Sequence, residues 1–458
     1  MDFKTRALAI VLAFLVIANI VVACGGGTPA TQVSTNAGDT TSVPAKSPAT
    51  PSQAAGNTQP TNIQQQSTTV AEAPTVTTVT DSTADAPTQA VVAAPTQAPV
   101  VSLNNPKRTN YLEYGAAAQL YYTDRNRALT LMNNASLDWV RQQIQWKDIE
   151  GPKGNFGWGE LDSIVADANA KNIKVMLSIV RAPSWARADG TNGMPDNVTD
   201  MGDFVQALAT RYKGKVQAYE IWNEQNLDHE NGGSKASINV GTYMELLIES
   251  YNRIKAVDPD AFVISGALTS TGDSGTAIDD ITYFREMFAY RDGIIKSHVD
   301  GIGFHPSPSY NPPSTLWPNE PGPGPNWREH PTHYFRHIEN LKALMDEMGL
   351  ADYQVWITEY GWATENETPG YEYGNETSYD LQAEYVLEAL KQTRSDYPYV
   401  AVMIIWNLNF SVLWNEQDPP QPLHEQSSFS ILNTDWSPRP VYTNIQGFIN
   451  AVKAEEGR

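Results

Sequence analysis

Apolar runs alternate with amphipathic stretches along the chain from Pro106 onward. Short apolar runs rich in β-branched and aromatic residues have the length of buried strands, and the stretches between them repeat apolar residues at helical spacing. The last helical pattern covers Ile445–Val452. We predict strands at Leu112–Ala117, Trp139–Gln143, Ile173–Val180, Val216–Trp222, Phe262–Leu268, Gly301–His305, Gln354–Glu359 and Ala401–Trp406.

Eight strands, each followed by a helix, predict an α/β fold: a single (β/α)8 barrel, the TIM barrel. A doubly wound open sheet is the alternative. It would normally have fewer strands and a Gly-rich phosphate-binding loop, which the sequence lacks. In a (β/α)8 barrel the catalytic groups come from the C-terminal ends of the strands. The polar residues at the predicted strand ends are therefore the candidates for chemistry.

Two of the predicted strands end in a glutamate. Glu224 follows the fourth strand in the run Trp-Asn-Glu, and Glu359 ends the seventh in the run Thr-Glu-Tyr-Gly-Trp. Two carboxylates facing one cleft are the minimum equipment for cleaving a glycosidic bond. Glu220 shares the strand parity of Glu224 but lies deeper in the barrel, so we predict a buried, paired group there rather than a catalytic one.

Further motifs accompany these glutamates: Gly-Trp-Gly-Glu-Leu-Asp at 157–162 and Ala-Pro-Ser-Trp-Ala at 182–186. In their order along the barrel, the motifs resemble those of clan A of the retaining glycoside hydrolases. The run from Trp146 to Trp158 is most similar to family 39 and to cellulase-like (family 5) relatives.

The resemblance implies double displacement at a β-glycosidic bond, with Glu224 as the acid/base and Glu359 as the nucleophile. We expect no cofactor and no metal. Retaining enzymes hold these carboxyl groups ~5–5.5 Å apart, where two negative charges repel and one pKa must rise. We therefore expect Glu224 to be the protonated member of the pair and Glu359 the ionised one.

Other residues at the strand ends are expected to bind the sugar. By the resemblance, Arg141 donates to Glu359, Asn223 hydrogen-bonds the sugar 2-hydroxyl, and Trp406 forms the floor of the cleavage subsite. His305 ends the sixth strand, where relatives carry a site histidine.

Many relatives have His-x-Tyr at the end of the sixth strand, with the tyrosine bonded to the nucleophile. Here the third position is Ser307, a departure from that pattern. Tyr310 or Tyr360 is the candidate to replace the missing tyrosine.

The loops after the strands are rich in tryptophan, whose flat rings suit stacking on sugar faces. We expect Trp185 and Trp362 to bind substrate. The other loop tryptophans are Trp317, Trp327 and Trp414.

Three histidines, His330, His333 and His337, have a spacing that resembles a metal-binding motif. Pro331 indicates a helix that begins after His330 and leaves it outside, so we predict no metal site. A non-catalytic sugar-binding lipoprotein and a transglycosylase are the alternative functions. The first would be expected to lack one of the two glutamates, and both are present.

The net charge of the chain indicates which classes of molecule it can bind. The formal net charge is −21, so the chain should repel nucleic acid and anionic surfaces and accept a neutral carbohydrate substrate. We expect a monomer.

The first 105 residues predict export. Lys4 and Arg6 precede a short apolar run that ends Val-Val-Ala-Cys24, and Cys24 is the single cysteine of the chain. This pattern is typical of a signal peptide, residues 1–23, and resembles the bacterial lipobox. Residues 24–105 are rich in Thr, Pro, Ala and Gln and predict a disordered tether before the barrel, residues 106–458. We expect lipidation of Cys24 and an extracytoplasmic protein, anchored to the bacterial envelope or secreted.

Overall fold

The computed structural model describes residues 107–319 and 331–458. Parallel strands in these ranges close into one barrel: neighbours along the chain pair with each other, and the last strand pairs with the first. The predicted signal peptide, Cys24 and the tether lie outside the described residues, as do Trp327 and His330. The strands are β1 (Glu113–Ala117), β2 (Trp139–Gln145), β3 (Lys174–Val180), β4 (Ala218–Ile221), β5 (Phe262–Ser265 and Leu268–Thr269), β6 (Gly301–His305), β7 (Gln354–Tyr360) and β8 (Val400–Ile405).

Strand β5 is interrupted after Ser265, and both of its halves pair with β6. Gly266 lies in the break, where a Cβ atom would come within 2.6 Å of the carbonyl oxygen of Ile221. The second half pairs Thr269 with His305. The break therefore places a hydroxyl side chain beside the end of β6, at the C-terminal mouth of the barrel.

A long helix follows each strand within the described ranges. Their starts are set by side chains that accept from free backbone N–H groups, including Asn197, Asn239 and Ser378. The predicted (β/α)8 barrel is confirmed. No helix in 107–319 or 331–458 has both the length and the hydrophobicity needed to cross a membrane. The helices are α1 (Arg125–Asn134), α2 (Gly159–Ala170), α3 (Val198–Arg211), α4 (Val240–Val257), α5 (Asp280–Ala289), α6 (Ile338–Glu347), α7 (Tyr379–Asp396) and α8 (Pro440–Glu456).

The core has two parts. Apolar side chains pack between the barrel and the helices, and a second group fills the inside of the barrel. Trp139 and Trp356 meet edge to face inside, with ring centroids 5.4 Å apart. Both rings come from the N-terminal halves of their strands. This leaves the C-terminal end of the barrel to polar groups.

Candidate active site

A cavity opens at the C-terminal ends of the strands. Glu224, His305 and Glu359 lie in its wall together with Trp406, as does the end of β5 at Thr269. Loops after β4, β6, β7 and β8 complete the wall. They contribute Leu227, His229, Ser307, Tyr371, Tyr373, Glu425, Gln426 and Phe429, among others.

The carboxylates of Glu224 and Glu359 meet across this cavity. One oxygen of each, together with a ring nitrogen of His305, lies within 4.8 Å of the others. Both side chains are largely buried, with 20% and 17% of their surfaces exposed. This proximity is what the sequence-based pairing of strands four and seven requires.

Glu224 owes its position to an unusual turn after β4. Trp222 and Glu224 both have positive φ angles, of 73° and 42°. The Glu224 amide donates to the carbonyl of Ala267 at 2.8 Å, and the Trp222 indole donates to the carbonyl of Glu230 at 3.0 Å. Because non-glycine residues rarely adopt positive φ, these contacts hold a strained turn that directs Glu224 towards the cavity.

Arg141 lies on β2 beside Glu359, with 1% of its surface exposed. Its guanidinium donates to Glu359, to Glu220 at 2.8 Å and to the side-chain oxygen of Asn223 at 2.8 Å. Glu220 is fully buried and also accepts from Thr358 at 2.6 Å. The prediction that Glu220 is a buried, paired group is confirmed.

The His305 ring bridges the site. Its Nδ1 lies 3.0 Å from Glu224 Oε1 and 3.9 Å from Glu359 Oε2. Its Nε2 lies 2.9 Å from the hydroxyl of Thr358. His305 is buried, and each ring nitrogen lies within hydrogen-bond distance of a protein group.

These contacts shift the pKa values of Glu224 and Glu359 in the directions opposite to those we expected from the sequence. Burial raises the pKa of Glu224, but the hydrogen bond and charge of His305 outweigh burial and lower it below its usual value. Burial raises the pKa of Glu359 despite the opposing charges of His305 and Arg141. Burial lowers the pKa of His305, but Glu359 and Glu224 together raise it above its ordinary value. The expected order of the carboxyl pKa values is thus reversed because His305 hydrogen-bonds to Glu224.

The same three side chains, Glu224, His305 and Glu359, could each offer one ligand atom to a metal ion. The guanidinium of Arg141 on Glu359 disfavours a second positive charge there. His337 is engaged elsewhere: its Nε2 lies 2.9 Å from a carboxylate oxygen of Asp280.

The predicted aromatic platforms divide into two groups. Trp406 lines the cavity and packs against Phe410. Trp362 is fully buried and donates its indole N–H to the carbonyl of Asn311, so it cannot stack on a sugar. Trp185 packs edge-on against Trp146, with ring centroids 5.6 Å apart. The prediction of a sugar platform is wrong for Trp362, and for the half-buried Trp185 it stays a prediction.

Of the two predicted replacements for the missing tyrosine, Tyr360 does not bond the nucleophile, and Tyr310 stays a prediction. The Tyr360 hydroxyl is buried without a hydrogen-bond partner among the described residues, and its ring packs on Phe335. Tyr310 is buried and is not part of the described cavity wall. Ser307 lines the cavity, but its hydroxyl lies 3.0 Å from that of Thr269.

The sequence analysis missed cavity residues on the loops after β4, β7 and β8. Tyr371 and Tyr373 follow β7, with ring centroids 5.8 Å apart. Burial and the nearby carboxylates, including Glu425, raise the pKa of Tyr371 far above its ordinary value. The tyrosine-rich run after Gly370 was the available signal.

Comparison with known proteins gives the family context. A model described as glycosyl hydrolase family 10 matches residues 103–305. Endo-1,4-beta-xylanase 3 of Hypocrea jecorina is 25% identical over 138 residues, which cover 29% of this chain and 38% of the xylanase. Endo-1,4-beta-xylanase A of Fusarium oxysporum is 22% identical over 323 residues, which cover 67% of this chain and 85% of the xylanase.

Solved structures share the fold. A family 39 glycoside hydrolase from Bacteroides cellulosilyticus WH2 matches with a TM-score of 0.58 and 20% identity, covering 76% of this chain and 66% of that chain. The predicted likeness to family 39 is consistent with this match, although the sequence model that matches is that of family 10. These matches confirm the predicted resemblance to the clan A glycoside hydrolases and are consistent with the predicted enzyme class, an O-glycosyl hydrolase. The family 10 model spans less than half of this chain, and the chain spans 38% of the length of Endo-1,4-beta-xylanase 3.

Proposed function

We propose that this protein hydrolyses β-glycosidic bonds of a neutral poly- or oligosaccharide with retention of configuration. The observation that carries the proposal is the meeting of Glu224 and Glu359, with carboxylate oxygens within 4.8 Å of each other in one cavity. Retaining enzymes keep their carboxyl groups ~5–5.5 Å apart, whereas inverting enzymes leave ~6.5–9.5 Å for a water molecule. The short separation favours direct attack by a carboxylate.

Glu359 is the proposed nucleophile. Arg141 holds one of its oxygens, which fixes the carboxylate while it attacks the anomeric carbon. Glu224 protonates the leaving oxygen in the same step. Esterification removes the charge of Glu359, and Glu224 then accepts a proton from the water that attacks the glycosyl-enzyme.

The substrate class follows from the charge of the cavity. Glu224, Glu230, Glu359 and Glu425 are all largely buried in or beside it. This concentration of carboxylates disfavours acidic sugars. The matched relatives named as endo-1,4-beta-xylanases make xylan and xylo-oligosaccharides the first substrates to assay.

A panel of 2-deoxy-2-fluoro glycosides tests the proposal. The accepted sugar should inactivate the protein, and mass spectrometry should find the label on the peptide that contains Glu359. Glu359→Ala should lose hydrolysis and regain turnover of an activated glycoside with azide, giving the inverted glycosyl azide. Glu224→Ala should spare substrates whose leaving group needs no protonation.

The control is Glu113→Gln, which alters a buried carboxylate at the N-terminal end of the barrel and should leave activity unchanged. Equal losses on all substrates for both alanine variants, with no azide rescue, would contradict the assigned roles.

We also propose that Cys24 is lipidated and that residues 25–105 tether the barrel to the outside of the cell envelope. The support is the signal-peptide pattern, the single cysteine at its end and the composition of the following tract.

A further inference from the structure

The two hydrogen bonds of the Thr358 hydroxyl determine which ring nitrogen of His305 carries a hydrogen. Thr358 donates its single hydroxyl hydrogen to Glu220 at 2.6 Å. Glu220 is paired with Arg141 and, as a carboxylate, can only accept. The 2.9 Å contact between Thr358 Oγ1 and His305 Nε2 must therefore be donated by the imidazole. His305 carries a hydrogen on Nε2.

This assignment leaves Nδ1 as the titrating nitrogen, and Nδ1 faces Glu224 Oε1 at 3.0 Å. If the imidazole is neutral, Nδ1 is a bare lone pair and the carboxyl must donate to it. If the imidazole is charged, Nδ1–H donates to the carboxylate. In both cases one proton lies between the two atoms.

We propose that His305 and Glu224 share one proton, that this proton is the one delivered to the leaving group, and that Thr358 is the positioning residue that fixes the imidazole for this purpose. The proposal rests on the function proposed above. It assigns His305 a proton-holding role in addition to any contact with sugar.

The charges around the pair come from several strands. Glu359 from β7 lies 3.9 Å from Nδ1, and Arg141 from β2 reaches Glu359 and Glu220. His229 also lowers the pKa of Glu224, and the charge of Glu224 adds to burial in raising the pKa of Glu230.

The lowered pKa of Glu224 and the raised pKa of His305 are two descriptions of one coupled titration. The shared proton stays on the pair to a higher pH than an isolated carboxyl would hold it.

The pair of His305 and Glu224 loses one proton in the first step of the reaction and regains one in the second. In the first step the O–C bond to the leaving group breaks, Glu359 forms a bond to the anomeric carbon, and the shared proton moves to the leaving oxygen. The pair is left as a carboxylate facing the bare Nδ1 lone pair at 3.0 Å. Two facing lone pairs repel, which raises the proton affinity of the pair. In the second step water attacks, the bond to Glu359 breaks, and one water proton returns to the pair.

Nitrogen-15 NMR of the full chain labelled at histidine tests the proton assignment without requiring activity. The His305 signals are identified by their loss in His305→Gln. We expect Nε2 to stay protonated over the whole titration while Nδ1 changes, with a midpoint above the ordinary histidine pKa. Glu224→Gln should lower that midpoint. A neutral form with the hydrogen on Nδ1 and a bare Nε2 would overturn the proposal.

Thr358→Val and Thr358→Ser form the matched pair for the enzymatic test. Valine keeps the size but removes the hydroxyl, whereas serine retains it. In the valine variant the neutral imidazole can place its hydrogen on Nδ1, where it donates to Glu224 and keeps that carboxylate ionised. The alkaline limb of kcat/KM for a substrate that needs protonation should move down by about one pH unit or more. The serine variant should keep the wild-type profile.

An activated aryl glycoside separates this inference from the proposed function. Its turnover should be spared in Thr358→Val, because its leaving group needs no proton. Identical pH profiles for the valine and serine variants would reject the shared proton while leaving the roles of Glu224 and Glu359 standing. Failure of azide rescue in Glu359→Ala would reject the proposed function, and the NMR result would still report the His305 tautomer.

Discussion

Arg141 provides the sharpest test of how this site is built. Its guanidinium donates hydrogen bonds to Glu220, Glu359 and Asn223, and the residue is almost fully buried. Arg141→Met keeps much of the apolar stem and removes every donor. Glu220, with 0% of its surface exposed, then becomes a buried charge whose remaining side-chain donor is Thr358.

The expected cost follows from that uncompensated charge. Removing one partner of a buried ion pair typically destabilises a protein by about 3–5 kcal/mol. For a barrel of roughly 350 residues, with an unfolding entropy of about 2.1 cal/mol/K per residue, this corresponds to a Tm decrease of about 4–7 °C. Differential scanning calorimetry measures this decrease. Adding Glu220→Gln removes the buried charge and should recover most of the lost Tm.

Activity should not recover in the double variant. Arg141 lowers the pKa of Glu359, so its loss moves that pKa up, and the acid limb of kcat/KM should shift to higher pH because the nucleophile must be ionised. The pH profile of the Arg141→Met/Glu220→Gln variant measures the shift in a stable protein. An unchanged Tm in the single variant, or wild-type activity in the double variant, would refute the reasoning.

Three further outcomes are expected. Trp406→Ala should raise KM about tenfold, the effect of losing ~1.4 kcal/mol of ring contact with the sugar, and steady-state kinetics measures it. Trp362→Phe should lower the free energy of unfolding by about 1–3 kcal/mol, because the carbonyl of Asn311 loses its donor, and leave KM unchanged; an altered KM would restore Trp362 to the sugar site. Cys24→Ala should move the protein from the membrane fraction to the soluble fraction in cell fractionation, and an unchanged distribution would argue against lipidation.

The barrel was predictable from sequence because its strands are recognisable as short apolar runs. Each predicted strand overlaps an observed one, since a parallel strand buried on both faces reads as a continuous apolar run. Glu224 and Glu359 could be paired for a related reason: the closure of the barrel brings strand ends together whatever the details of the loops. The interruption of β5 at Gly266 has no such pattern in the apolar residues.

The orientation of loop side chains could not be predicted, because the residue type alone does not determine whether a side chain faces the cavity or the core. Trp362 follows Glu359 by three residues, yet it packs into the layer between barrel and helices. Tyr371 lies nine residues further along the same connection and faces the cavity. The carboxyl pKa values were equally out of reach, because a distance of 3.0 Å rather than 3.9 Å from His305 Nδ1 decides which carboxylate receives the hydrogen bond.

The position that links both halves of the mechanism is the deep glutamate, Glu220. A carboxylate has no hydrogen to give, so each of its neighbours must donate to it. One neighbour is Arg141, whose other donors then face Glu359 and Asn223. The other is Thr358, whose oxygen is thereby left to accept from the His305 ring. The orientation of the nucleophile and the proton of the acid/base thus depend on one buried acceptor, which accounts for a charge at a depth where an apolar residue would cost less.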